Sequence, residues 1–346
     1  MTTTMLARES MHVRDATPDD NAALLDIAAC CPMEGDLTLR VTREPDFFQL
    51  DRLEGTQWRV GVADVDGRVV GCVLAAARRA YLHGVEQTTL YAGDLKVHPT
   101  MRGSGVADAL SQWVLGALAD MGGSDAPILL TILGGNRAME RRTMGRGGMP
   151  FFEHIATIRA FSIPLLFPRA LGRSTHSVMA ARLSDIEEMA QLWERVAPAR
   201  QLAPVFTGDS LTRWIERAPG LDISDYRLAR NGSGRLVGFL AWWDQSSFKQ
   251  LRVLRYSPRL RVVRTMLNGV AGLTRALPLL ARAARCTTVR LSTSACRATH
   301  RTSSRPSCAR ATVSFAPLVT RSRRSAWTHV TRSVPRSADS SPSPQR

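Results

Sequence analysis

Lysine is nearly absent from this chain: of its 46 basic residues, 44 are Arg and only Lys96 and Lys249 are Lys. A skew of that size fits GC-rich codon usage, so it does not by itself argue for guanidinium chemistry. No apolar run approaches the about 18 residues that a membrane-spanning helix requires. Met1–Ser10 carries Arg8 and Glu9 and no apolar core, so it does not read as a secretory signal, and a cytoplasmic location is expected. The six cysteines, at 30, 31, 72, 286, 296 and 308, show no CxxC spacing. That pattern argues against a disulfide framework and against a zinc site, and no metal is expected. Acidic residues run out toward the end: residues 286–346 hold 11 Arg against Asp339 alone, which accounts for most of the net charge of +16. A nucleic-acid partner is therefore not expected except through that basic tail.

What is present is 346 residues with 44% apolar content, enough for about two globular domains. The first part alternates helix and strand patterns. His12–Ala16 reads as a strand, and Thr17-Pro18-Asp19-Asp20 as the capped start of a helix with Leu24, Leu25 and Ile27 on its apolar face. A second helix is expected over Glu44–Leu53. Trp58–Val65 and Arg68–Arg79 flank Asp66-Gly67, a hairpin signal. Thr88–Val97 is a further strand, followed by a helix through Ala107, Leu110, Trp113, Val114, Leu115 and Leu118. Pro127–Leu133 is a buried strand, Gly134-Gly135-Asn136 opens another helix, and Phe151–Leu165 holds one or two strands. Pro164 and Pro168 mark a linker, taken as 166–176.

The pattern then restarts. Ala180–Asp185 echoes Val13–Asp19, Leu211–Ile215 echoes the second helix, Tyr226-Arg227-Leu228 echoes Trp58-Arg59-Val60, and Arg235–Gly238 echoes Arg68–Gly71. The offset is about 167 residues throughout, which reads as a duplicated unit. Trp242-Trp243 lie on a strand of this second part and must point to opposite faces, one into the core and the other toward the domain interface. Residues 177–285 hold only the first half of the unit, so the strand edges facing the missing half are expected to be unpaired. Residues 286–346 contain 22 Ser or Thr, no Glu and no Lys. Two readings of this tail stand: a disordered basic segment, or the product of a reading-frame shift near Ala284.

The informative stretch is Tyr91-Ala-Gly-Asp94-Leu95-Lys96-Val97-His98-Pro-Thr-Met-Arg102-Gly103-Ser104-Gly105-Val106-Ala107. A strand ends, a glycine loop turns and a helix begins. The start of a helix leaves backbone N–H groups unpaired, and glycines let an anion approach them closely. Arg102 adds a full positive charge. No Gly-Lys-Ser/Thr follows, so this is not a nucleotide P-loop, and it is not GxGxxG.

Arg102, Gly105 and Ala107 match Arg/Gln-x-x-Gly-x-Gly/Ala after a strand ending in Val97-His98-Pro99. The stretch resembles the acyl-CoA signature of the GNAT superfamily of N-acetyltransferases, and the element order of residues 11–165 resembles that fold. The resemblance implies an α/β fold of the α+β type: a mixed central sheet flanked by helices over 1–165, followed by a partial second copy. It implies acetyl-CoA as acyl donor, with the backbone amides of Arg102, Gly103, Ser104, Gly105, Val106 and Ala107 on the pyrophosphate. Backbone groups of Leu95 and Val97, together with Asn136, would hold the pantetheine arm, although Asn136 also reads as an ordinary helix cap. The reaction implied is direct attack of a primary amine on the thioester in a ternary complex.

That reaction needs a base for the amine and a donor for the departing thiolate. Asp94 is the candidate base. By period two it shares a face with Lys96 and His98, and a surface Asp–Lys pair is the competing reading. Glu86 and His98 are weaker candidates. The family's usual Tyr donor position falls on Thr143, so Tyr91 or Tyr81 would have to serve. Glu34, Asp36 and Glu44 either line an amine cleft or form a solvated face. Arg137, Arg141, Arg142 and Arg146 either reach the 3′-phosphate or face solvent. The acceptor is a small-molecule amine or a protein N-terminus or Lys. A non-catalytic acyl-CoA-binding regulatory module is the alternative function.

Overall fold

The computed structural model describes residues 11–123, 125–158 and 174–274, together with the strand segments 285–286, 289–296 and 326–331. In chain order, β1 (Met11–Asp15) leads through a 3-10 turn (Pro18–Asp20) into α1 (Asn21–Cys30). The turn is a capping box, as Thr17 and Asp20 predict: the Asp20 carboxylate accepts the Thr17 N–H at 2.7 Å. There follow β2 (Leu37–Thr42), α2 (Phe48–Asp51), β3 (Gln57–Val65), β4 (Arg68–Leu82), β5 (Val85–Val97), α3 (Val106–Gly122), β6 (Ile128–Ile132), α4 (Arg137–Thr143) and β7 (Glu153–Ile158). The second part holds β8 (Ser177–Ala180), α5 (Ile186–Val196), α6 (Gly208–Arg217), β9 (Tyr226–Arg230), β10 (Leu236–Asp244), β11 (Gln250–Tyr256) and α7 (Pro258–Thr274). Last come β12 (Arg285–Cys286), β13 (Val289–Cys296) and β14 (Ala326–Thr331).

The main sheet runs β1-β3-β4-β5-β6-β14-β7, antiparallel except for the β5–β6 pair. Asp66 and Gly67 both adopt positive φ in the β3–β4 turn, the backbone that an Asp-Gly hairpin favours. Alternation along β4 sends side chains to two cores. Val73, Ala75 and Ala77 pack under Val106, Leu110, Val114 and Leu118 of α3, whereas Cys72 and Leu74 meet Leu24, Ile27 and Ala28 of α1. A mixed α/β architecture with a mostly antiparallel central sheet between helices is therefore in place, as the sequence implies.

Four expectations need correction or completion. The helix expected over Glu44–Leu53 is only the single turn Phe48–Asp51, begun after Pro45 and capped where the Asp46 carboxylate accepts the Phe48 N–H at 2.9 Å. Leu37–Thr42, which is not among the strands expected from the sequence, is a strand, and it pairs antiparallel with β11 of the second part, Gln250 opposite Thr42 and Arg252 opposite Arg40. The edge of β10 is not left unpaired, since β13 covers it from Gly238 to Asp244. Two pieces of the 286–346 segment are strands, and β14 lies between β6 and β7. The rest of that segment, and most of the 166–176 linker, lie outside the described residues.

The two parts are not independent bodies. Tyr81 and Leu50 of the first part sit in the core built by Met189, Leu192, Trp193, Leu211, Tyr226 and Phe239 of the second. The Tyr81 N–H donates to the Ala203 carbonyl at 2.9 Å, and the Tyr81 carbonyl accepts the Leu202 N–H at 2.7 Å. Of the paired tryptophans, Trp243 is buried with its indole N–H on the Pro219 carbonyl at 2.8 Å. Trp242 is half-buried and carries the Arg227 guanidinium over its ring rather than forming a domain interface.

Candidate active site

β5 makes the site by parting from β6 and bulging against β4. Against β6 it pairs in parallel only from Leu90 to Ala92 (opposite Ile128 to Leu130), yet it runs on to Val97. The β6-facing edge of Gly93–Val97 therefore has no ladder partner among the described residues, although the Val97 carbonyl accepts from the Cys31 thiol at 3.4 Å, and the sheet opens there. Against β4 the register shifts: Leu74 faces Gly93 and Cys72 faces Lys96, so two residues oppose Val73 alone. This is a β-bulge, and Asp94 occupies it with φ +54°, a conformation that Asp tolerates better than most residues. The period-two expectation fails at that step, although Asp94 and Lys96 still meet.

Beyond Val97, His98 turns the chain into a 3-10 segment. Its Nδ1 accepts from the Thr100 N–H and lies 2.7 Å from the Thr100 hydroxyl. His98 is thus a local cap, as its structural reading holds. Gly103 and Gly105 then take φ +85° and +91°, and Gly105 caps the 17-residue helix α3. The N–H groups of Gly103, Gly105, Val106 and Ala107 have no hydrogen-bond acceptor among the described residues. A Cβ on Gly103 would meet nothing within 4 Å. The loop is open, these four N–H groups are free among the described residues while those of Arg102 and Ser104 donate to the Pro99 and Met101 carbonyls at 3.4 Å, and a helix dipole points out of it.

Behind Asp94 lies a charge network that the sequence does not reveal. Arg43 is 5% exposed and donates to Asp51, itself fully buried, at 2.9 Å. Its other terminal nitrogen contacts the Asp94 carboxylate, and its guanidinium lies 4.6 Å from the Phe47 ring centre. Lys96 donates to the second Asp94 oxygen at 2.6 Å. Burial, reinforced by the neighbouring Arg43 charge, pulls the Lys96 ammonium down to about 8. Burial pushes the Asp51 carboxyl up and the Cys72 thiol up to about 11, so Cys72 stays a protonated, unreactive thiol.

The Lys96 shift has a measurable sign. Unfolded, Lys96 titrates near its ordinary 10.5, and folded near 8. Between those values the unfolded chain holds the extra proton, so this group makes the fold more stable as pH rises across that window. Cys72 acts oppositely from its ordinary 9.0 upward. The readout is therefore the difference between wild type and Lys96→Met in urea. Wild type should gain on the variant from pH 8 to pH 10, and a constant difference would mean that Lys96 titrates as an exposed lysine.

Tyr91 lies on the same strand, and its ring covers Gly93: a Cβ there would stand 2.6 Å from the ring and 2.9 Å from the hydroxyl oxygen. The phenol is thereby held beside the opening between β5 and β6. Burial pushes it up to about 12, offset in part by a hydrogen bond to the Thr131 side chain. Thr143 is fully buried and donates its hydroxyl to the Glu140 carbonyl at 2.9 Å, so it is engaged within its own helix. Tyr81 is packed into the second part's core.

The other sequence candidates fall into local roles. Asn136 caps α4 by accepting the Met139 N–H at 3.3 Å. Glu86 pairs with Arg79 at 2.9 Å, eight residues along the strand from Asp94, or about 26 Å. Glu34, Asp36 and Glu44 are exposed at the two ends of β2 and are not one cluster. Arg142 is paired with Asp108 of α3 at 2.6 Å. With Arg141, Arg146, Ala138 and Gly147 it lines an open hollow of about 320 Å³ beside the start of that helix. No group of His, Cys, Asp and Glu suited to a metal occurs among the described residues.

The sequence model of the acetyltransferase (GNAT) domain matches residues 13–130, which span β1 to β6. Comparison with the curated proteins gave no match. A GCN5-related N-acetyltransferase from Sphaerobacter thermophilus is similar in structure, with a TM-score of 0.50 at 14% identity, over 93% of this chain and 96% of that one. N-myristoyltransferase from Saccharomyces cerevisiae with bound myristoyl-CoA is similar with a TM-score of 0.53 at 12% identity, over 83% of this chain. The chain spans only 63% of that yeast protein and 55% of a probable N-acyltransferase from Enterococcus faecalis (TM-score 0.45, 15% identity, 67% of this chain). The fold is shared with these N-acyltransferase structures, and residues 13–130 resemble the acetyltransferase (GNAT) domain in sequence. No helix among the described residues is long and apolar enough to cross a membrane.

Proposed function

We propose that the chain is an N-acetyltransferase that moves an acetyl group from acetyl-CoA to a primary amine by direct attack in a ternary complex. The observation that carries this reading is the junction of the β5 edge at Gly93–Val97, which has no ladder partner among the described residues, with the N–H groups of Gly103, Gly105, Val106 and Ala107, which have no acceptor there. An extended pantetheine arm adds to the strand edge through Leu95 and Val97. The pyrophosphate then meets the loop of Arg102 to Ala107, and Asn136 borders the arm from the end of β6. The hollow among Arg141, Arg142 and Arg146 suits the remaining phosphate.

In the reaction, the amine nitrogen attacks the thioester carbon and the C–S bond breaks. The amine proton passes to Asp94. Arg43 and Lys96 take one acceptor position on each Asp94 oxygen, leaving lone pairs on a carboxylate that offers about four. Tyr91, held protonated beside the opening, donates to the departing CoA thiolate. A binding-only module is the second reading, favoured by the engagement of both Asp94 oxygens with cations. Release of free CoA from acetyl-CoA in the presence of an amine panel separates the two.

We also propose that residues 177–285 are a degenerate second copy. Apart from β2, which has no counterpart in the second part, both parts run strand, 3-10 turn, helix, helix, then three strands and a helix. After β11, however, Ser257-Pro258-Arg259 enters α7 with no glycine loop, so this copy lacks the phosphate cradle. The cradle is tested by Gly105→Val. A β-branched side chain is disfavoured at φ +91° and blocks close approach to the amides. Acetyl-CoA affinity should fall at least tenfold, about 1.4 kcal/mol, with the circular-dichroism spectrum retained. An unchanged Kd by calorimetry would remove the loop from the binding site.

A further inference from the structure

The β2–β11 ribbon carries a feature that acyl-CoA binding does not explain. One face, Leu37, Leu39, Leu251, Val253 and Tyr256, is apolar and packs with Leu260 of α7. The opposite face is polar: Thr38, Arg40 and Thr42 alternate along β2, with Gln250 and Arg252 opposite the last two. Arg40 and Arg252 are directly cross-strand, which is unfavourable for like charges. Neither forms an ion pair among the described residues. The Nε atoms of both, and the hydroxyl of Thr38 (6% exposed), are buried without a hydrogen-bond partner there. Two forked cations and a hydroxyl on one face, all with donors to spare, match an oxyanion.

The row also has a direction. At its inner end Thr42 bonds Gln250 at 3.0 Å, and Gln250 donates to the Glu44 carbonyl at 3.1 Å. The residue between Thr42 and Glu44 is Arg43, whose guanidinium reaches Asp94. Arg40 is three residues from Arg43, or about 10 Å along the chain.

We infer that this face of the β2–β11 ribbon holds an oxyanion on the acceptor, so that the amine acetylated is a small molecule carrying a carboxylate or a phosphate. The inference rests on the acetyltransferase reading of Asp94 and its surroundings. It assigns the second part of the chain a role in catalysis: β11 supplies half of the acceptor wall.

The test uses the full chain, acetyl-CoA and pairs of amines that differ in the oxyanion: β-alanine against propylamine for carboxylate, and phosphoethanolamine against ethanolamine for phosphate. Free thiol release gives kcat and KM. In at least one pair the anionic amine should have a KM at least tenfold lower, and the pair that responds identifies the oxyanion. Inorganic phosphate should compete with the acceptor and not with acetyl-CoA. Arg40→Gln and Arg252→Gln should each raise the KM of the anionic amine at least tenfold with the acetyl-CoA Kd unchanged, and Arg→Lys at either position should restore part of it. If either glutamine variant fails to fold, phosphate competition in the wild type decides. Equal use of the charged and neutral amines, or no competition by phosphate, overturns the inference while leaving the acetyltransferase reading intact. If the chain binds no acetyl-CoA, that reading fails instead. Phosphate titrated into wild type and Arg40→Gln then decides the anion site on its own, with loss of binding in the variant supporting it and equal or no binding refuting it.

Discussion

Asp94→Asn is expected to lower kcat by about 10²- to 10⁴-fold, the range for loss of a positioned general base. Acetyl-CoA binding should be retained, because the Arg102–Ala107 loop does not depend on the carboxylate. Asn is close in shape to Asp and can still accept from Arg43 or Lys96 through its carbonyl, so the bulge should persist. The acidic limb of the pH–rate profile should vanish together with the rate. This separates catalysis from support: a structural ion pair, once lost, lowers activity in proportion to thermal stability and leaves the shape of the profile alone. An Asp94→Asn protein with near wild-type kcat would return Asp94 to the role of a surface partner of Lys96.

Arg43→Ala has the largest expected effect on stability. Arg43 and Asp51 have side chains 6% and 1% exposed. Removing the cation leaves a fully buried carboxylate whose second oxygen already lacks a partner among the described residues. Breaking a buried pair from one side costs about 3–5 kcal/mol. The loss should appear as a lower urea midpoint with little change in slope. Arg43→Ala combined with Asp51→Leu should recover much of it, since no uncompensated charge remains. A single variant within about 0.5 kcal/mol of wild type would mean that the network is solvated, against the burial described here.

The sequence made some of this legible and hid the rest for physical reasons. The Asp66-Gly67 turn, the Thr17–Asp20 cap and the Gly103–Gly105 loop are local: their backbone demands are written in adjacent residues, and the structure has each of them. The period of α3 placed Leu110, Val114 and Leu118 in the core, as the structure has them. By contrast, Leu37–Thr42 is a strand because of a partner more than 200 positions away, and nothing nearby signals that Gln250 will face Thr42. Arg43 could not be picked from 44 arginines because its importance arises from burial between Asp51 and Asp94. The bulge at Asp94 is a property of the β4–β5 register, invisible in either strand alone. The one local hint was Leu-Thr-Leu-Arg-Val-Thr itself, an alternating, β-branched run that fits a half-buried strand. Two units joined only by a linker would also have suggested separable domains. The sharing of Tyr81, Leu50 and β2 with the second part makes them one structure.

The opening between β5 and β6, together with the glycine loop, is proposed as a single acyl-CoA site. Calorimetric titration of the full chain with acetyl-CoA tests it most directly. One acetyl-CoA per chain is expected in the wild type, because the second part has no cradle, and at least tenfold weaker binding in Gly105→Val. No binding by the wild type, two sites per chain, or an affinity indifferent to Gly105→Val would contradict it.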